Sequence, residues 1–102
     1  MKLLWSGRRA GKTTKAILLA HETGAYLIVI NREEALRVSK LADAMDKPIR
    51  FPVTIEEFLH GGMKGSYVRN LVIDNADEIF NRIFDGFEIE MITFTGEKYE
   101  SQ

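Results

Sequence analysis

The sequence predicts an α/β protein: a three-layer α/β/α sandwich around a mainly parallel sheet of about five strands. Three observations predict it. Strand-like and helix-like segments alternate along the chain with little linker between them. Tyr26-Leu27-Ile28-Val29-Ile30 is continuously apolar and rich in β-branched side chains, which suits a strand covered on both faces. A glycine-bearing turn ending at Gly11 joins the first apolar run to the first helical one. At 102 residues, the chain from 1 to 102 is expected to form one domain.

Each element has its own signal. Leu3-Leu4-Trp5 reads as the first strand. Thr13 to Thr23 carries Ala16, Ile17, Leu18, Leu19 and Ala20, and stops at Gly24, a residue suited to a helix C′ position. After the strand at Tyr26–Ile30, Asn31 and Glu34 read as a capping box opening a second helix. Ala35, Val38, Leu41, Ala42 and Met45 recur at helical spacing as its buried stripe, and Pro48 ends it. Ile49-Arg50-Phe51 is expected as a short third strand, limited by Pro52.

Thr54 and Glu57 form a second box, with Val53 and Phe58 placed as its hydrophobic staple. Gly61-Gly62-Met63-Lys64-Gly65-Ser66 is expected to be the only flexible stretch of any length. Val68 and then Leu71-Val72-Ile73 belong to a fourth strand ending in Asp74. Ala76 to Phe84 reads as a helix closed by Asp85-Gly86. Phe87 to Thr95, partly alternating, is expected as a fifth strand, and the residues from Gly96 as a polar tail.

Composition excludes several classes of function. No apolar run approaches the ~18–20 residues of a membrane span. Fourteen basic against fifteen acidic residues, a net charge of −1, argue against general polyanion binding. A DNA partner is left open, with no strong basic patch to carry it. Without cysteine there are no disulfides and no thiolate metal sites. His21 and His60 lie near helix ends without ligand partners at useful spacing, and read as surface or capping residues. The N-terminus is too short for a signal-peptide core, so a cytoplasmic location is expected.

The chemistry concentrates in Ser6-Gly7-Arg8-Arg9-Ala10-Gly11-Lys12-Thr13, with Thr14 following. Phosphate groups need several N–H donors converging on one point, and a positive charge that follows the transferred group. A glycine-rich turn feeding a helix N-terminus supplies the first, and Lys12 supplies the second. Gly11 lets the backbone wrap closely, and Thr13 is placed to ligate Mg²⁺. The first position departs from the motif, with Ser6 where glycine is usual. The plain alternative is a strand–turn–helix corner that only happens to read Gly-Lys-Thr. Asp74, at the end of the fourth strand, is placed to hold Mg²⁺ through water. The alternative there is an ordinary helix cap, Asp74 or Asn75.

These segments carry a resemblance. Asn70-Leu71-Val72-Ile73-Asp74 looks like a Walker B strand, and Asp74-Asn75-Ala76-Asp77 resembles the Asp-Glu-Ala-Asp type of motif in the first RecA-like domain of helicases. The Ser6–Thr13 segment resembles the arginine-bearing loop of phage terminase large subunits. From Leu3 to about Gly96 the chain looks like a minimal P-loop ATPase domain of the additional-strand class, carried on phage and prophage genomes. The resemblance implies a RecA-like core, ATP and Mg²⁺ as ligands, and Ser6 through Thr14 as the nucleotide-binding residues. It implies Lys12, Asp74 and Asn75 at the reacting end, with Thr13 and Asp74 toward the metal. It also implies work in phage DNA metabolism or packaging, in the host cytoplasm if phage-encoded.

The family usually places a glutamate directly after the Walker B aspartate, where this chain has Asn75. Asn can hydrogen-bond a water but cannot take its proton. Slow or partner-dependent hydrolysis is therefore expected. A non-catalytic nucleotide-binding module is the alternative; a nucleoside kinase of the thymidine kinase type is a third, opposed by the missing cysteine and lid. Thr93-Phe94-Thr95 resembles the polar third motif of helicases, with a threonine-rich strand end as the other reading. Arg8 and Arg9 resemble the charge-stabilising arginine of terminase loops or are simply solvated. Self-association or a protein partner is expected, since no obvious strand covers the far side of Leu3-Leu4-Trp5.

Overall fold

The computed structural model of the chain describes residues 2–5, 11–95 and 98–101. Its elements are β1 (Lys2–Trp5), α1 (Lys12–Thr23), β2 (Tyr26–Val29), α2 (Arg32–Ala44) and β3 (Val53–Thr54). α3 (Ile55–Leu59), β4 (Leu71–Ile73), α4 (Ala76–Ile83) and β5 (Lys98–Ser101) follow. The class is α/β with parallel pairing throughout, but the strands form two sheets and not one of five. One sheet has the order β3-β2-β4, with Ile28 opposite both Val53 and Ile73. The other is the parallel pair β1-β5, running from Lys2 opposite Lys98 to Trp5 opposite Ser101.

The central position of β2 follows from its composition. Leu27 and Val29 point to one face and pack against Ile17 and Ala20 of α1 and Ala35, Val38 and Ala42 of α2. Ile28 points to the other, against Ile55 of α3 and Ile79 of α4. A strand with apolar side chains on both faces is stable only between two layers, and β2 has both. Each fully buried Leu, Ile or Val contributes about 1.5–3 kcal/mol. The stripe expected on α2 holds: Ala35, Val38 and Ala42 are buried, with Leu41 and Met45 partly so.

Local chemistry sets the helix ends. Gly24 closes α1 in the left-handed region, φ 73°, its amide donating to the Ala20 carbonyl. Thr54 and Glu57 form a complete capping box at α3. Only half of the expected box forms at α2: Asn31 accepts from the Glu34 amide, while the Glu34 carboxylate binds Arg37. α2 ends before Pro48, in a Schellman turn. Asp46, φ 55°, donates its amide to Asp43, and Lys47 donates to Ala42.

Three further expectations about strands need correction. The third strand is Val53–Thr54, not Ile49-Arg50-Phe51. Pro52 has no N–H to give a ladder, so pairing with β2 begins after it. Before it, Arg50 is turned aside to the Gly24 carbonyl and the Tyr26 ring. Gly61 to Ser66 is a run of hydrogen-bonded turns, in which Gly62 donates to Glu57 and Ser66 to Met63.

Phe87 to Thr95 is no strand, and its Phe87, Met91 and Phe94 are largely exposed. Its alternation slips at Met91-Ile92, so one straight strand would turn apolar groups to both faces, and no strand among the described residues pairs with it. The expected tail instead supplies β5, which pairs in parallel along β1. No helix among the described residues is long and apolar enough to cross a membrane.

Candidate functional site

Parallel strands bring helix starts to one edge of the sheet. β2 leads through Asn31 into α2, β3 through Thr54 into α3, and β4 through Asp74 and Asn75 into α4. The start of α1 joins them, because the Thr13 hydroxyl donates to Asp74 Oδ2 at 2.9 Å. Open N–H groups and positive dipole ends thus gather at the C-terminal edge, where anions are favoured.

Asp74 is the one buried charged residue among those described, 5% exposed. Its amide donates to the Ile28 carbonyl at 3.3 Å, extending the β2–β4 ladder by a step. Burial pushes its carboxyl above the ordinary range, because an ionised group loses hydration there. The Thr13 hydroxyl pulls it back, the Glu34 charge adds to the rise, and Lys12 and Arg37 oppose it.

Gly11 adopts φ 77° immediately before Lys12, the first residue of α1. A Cβ at Gly11 would meet nothing within 4 Å among the described residues, and its positive φ favours glycine there. Thr14 is exposed on the next turn position. Ser6, Gly7, Arg8, Arg9 and Ala10 lie outside the described residues.

Asn75 has φ 55° and ψ 55°. Asn tolerates this left-handed conformation better than most side chains, which gives a backbone reason for its presence at this position. Its carbonyl accepts from the Glu78 and Ile79 amides, and its side chain makes no capping bond. Thr93 and Thr95 lie in exposed irregular chain and not at a strand end. The histidines cap and tether: His21 donates from Nδ1 to the Pro48 carbonyl and His60 to the Glu56 carbonyl, each at 2.7 Å.

Two charges that act on Asp74 are absent from the sequence expectations. Glu34 and Arg37 on α2 carry charges that act on Asp74, and Glu34 had been read only as a capping partner. The usable signal was an acid and a base three apart in the first turns after β2, the strand paired with β4. The hydrogen bond that Arg37 donates to Glu34 raises the Arg37 pKa most, burial opposes it, and the Glu34 and Asp74 charges add to the rise.

Oxygen donors at Thr13 and Asp74 fit a hard cation such as Mg²⁺, which takes one or two carboxylates and fills its remaining positions with water and phosphate oxygens. No cluster of three or more His, Cys, Asp or Glu occurs among the described residues, and such a site needs none. Comparison with family models, curated proteins and solved structures finds no match to this chain.

Proposed function

We propose that the chain binds a nucleoside triphosphate with Mg²⁺ at the C-terminal edge of its parallel sheet and hydrolyses it slowly or with a partner. The observation that carries this reading is the bond between Thr13 and Asp74. It joins the threonine after Gly11-Lys12 to the carboxylate ending a buried parallel strand. The motif pair was read separately in the sequence, and a chance Gly-Lys-Thr corner has no reason to dock against that acid. ATP is preferred over other triphosphates, and phage DNA metabolism or packaging as the setting, on the resemblance alone.

In this reading the α1 N-terminus and the Lys12 ammonium hold the β- and γ-phosphates. Thr13 and Asp74 would hold the Mg²⁺, which neutralises charge developing on the phosphate oxygens when bound. A cation held by Thr13 and Asp74 would supply positive charge that offsets the cost of the buried carboxylate. A RecA-like sheet of five strands would further require the β1–β5 pair to align with the free edge of β4. Where the β1–β5 pair does not take that edge, it is open to self-association or a protein partner, with Leu71 and Ile73 exposed beside it.

A second reading, a nucleotide-binding module without turnover, is favoured by Asn75. Titration with ATP and Mg²⁺, read by thermal shift beside phosphate release, separates the two. A parent chain whose melting is unmoved by millimolar ATP and Mg²⁺ would sink both.

A further inference from the structure

We propose that the groove between α3 and the start of β4 receives the acidic segment 87–91 of a second copy of this chain, so that two copies exchange segments as a closed dimer. This rests on the self-association reading given above and is independent of the nucleotide site.

The groove lies at the opposite end of β4 from Asp74 and encloses about 540 Å³, a volume within the range of ordinary binding pockets. Phe58 and Leu59 line it from α3, Met63 from the turns that follow, and Leu71 from the first position of β4. Its wall is already shaped. Gly62 donates to the Glu57 carbonyl at 2.7 Å, and a Cβ at Gly62 would come within 2.7 Å of that same oxygen. Glycine thus lets the turns press against α3, and Met63 packs, partly buried, on Ile28, Ile55 and Ile79. A groove formed in advance loses little freedom when it is filled.

Its charge is of one sign. No acidic side chain lines it among the described residues, whereas Lys64 and Arg69 do, and both are exposed. Arg69 donates to the Ser66 carbonyl at 3.3 Å, and neither cation meets a carboxylate among the described residues.

The segment has the complementary pattern. Phe87, Ile89 and Met91 alternate with Glu88 and Glu90. Phe87 is 80% exposed and Met91 78%, and neither glutamate pairs with a cation among the described residues. Laid extended, the three apolar side chains share one face, which the groove floor covers. The glutamates then stand toward the rim, where the long Lys64 and Arg69 side chains reach.

The segment does not fill the groove of its own chain. It borders a separate cleft with Phe80 and Phe84 of α4. Groove and segment nevertheless lie on one side of the molecule. Ile55 of α3 and Ile79 of α4 cover the same face of the sheet, and Arg82 of α4 is ion-paired with Glu56 of α3. A two-fold axis across that side brings each segment to the other copy's groove, and the exchange closes at two chains.

Sedimentation velocity of the full chain without nucleotide, over a range of concentrations, is the test. The parent should form a dimer that weakens with added salt. Lys64→Glu with Arg69→Glu, and separately Glu88→Lys with Glu90→Lys, should each raise the dissociation constant at least about tenfold. Mixed in equal amounts, the two variants should dimerise with each other, since each reversed groove then meets a reversed segment. Should a reversal unfold the chain, Glu88→Gln with Glu90→Gln should weaken the dimer and remove most of its salt dependence. A parent that stays monomeric overturns the proposal and the self-association reading together. A dimer indifferent to these substitutions lies elsewhere, at the β4 edge for example, and overturns the proposal alone. So does a mixture of folded variants that fails to dimerise.

Discussion

The Thr13 hydroxyl and the Asp74 carboxylate meet at 2.9 Å across 61 positions of sequence, one on the first turn of α1 and the other just past β4. Burial is the largest influence on the Asp74 pKa and the Thr13 bond the largest that opposes it, and the net shift is upward. Asp74→Asn keeps an oxygen that accepts from Thr13 and removes the ionised group. We expect the ligand-free melting temperature at neutral pH to rise and the stabilisation by ATP and Mg²⁺ to vanish. A lower ligand-free melting temperature would show that the charge is compensated in the folded chain.

Lys12→Ala addresses the phosphate contact alone. Lys12 is only partly buried, so the fold should persist, judged by circular dichroism. At ligand one-hundredfold above the dissociation constant, the parent gains about 2.7 kcal/mol, and the variant should lose most of it. Equal shifts in the two proteins would count against the loop as a phosphate site.

Asn75→Glu carries two opposed effects. A glutamate in the left-handed conformation at φ 55° should cost about 1 kcal/mol of stability in denaturant melts. Where the side chain reaches the water, turnover should rise from a parental rate well below ~10 s⁻¹. Asn75→Gly, free of the strain, should not lose stability in this way. If Asn75→Glu is as stable as the parent, the backbone reason for asparagine fails.

The sequence made the cores and helix starts legible because they depend on short-range chemistry. Gly24 ends a helix by its own φ, Thr54 and Glu57 satisfy each other's neighbours, and β2 declares its burial in five consecutive apolar residues. Strand pairing is a long-range property and was read less well. Nothing local in Lys98–Ser101 marks it as the partner of β1, and nothing in Phe87–Thr95 says that no neighbour awaits it. The swap of Glu34 from its capping amide to Arg37 was hidden for a related reason, since the same spacing serves both contacts.

Glu57 offers a test by pH. Its bonds with the Thr54 amide and hydroxyl hold its pKa below the ordinary 4.5. A lowered carboxylate pKa means that the folded state binds the proton less well than the unfolded one. The contribution is therefore complete above 4.5 and lost as pH falls through the folded-state value. Glu57→Gln should melt below the parent at pH 7, and the gap should close in acid. Thr54→Ala should cost about 1 kcal/mol. A gap that widens in acid would reverse the sign.

Asp46 sits at the left-handed position of the Schellman turn closing α2. Asp46→Gly removes that strain but adds freedom to the unfolded chain, so a net gain of about 0.5 kcal/mol is expected. Calorimetry at neutral pH checks it. A loss would mean that the Asp46 side chain contributes more than its backbone costs.

The pairing of β2 with β3 on one side and β4 on the other bears on the order in which the protein is made. Both neighbours of β2 follow it in the chain, and both of its faces are sealed by segments that follow it as well as by α1. A nascent chain that has emerged only as far as α2 holds a hydrophobic strand with one face covered and no ladder. Commitment must wait for Leu71–Ile73 to clear the ribosome, and Asp74 arrives with the same few residues. The Thr13–Asp74 pair can thus form only once the third strand of the β3-β2-β4 sheet has arrived, ahead of α4 and β5.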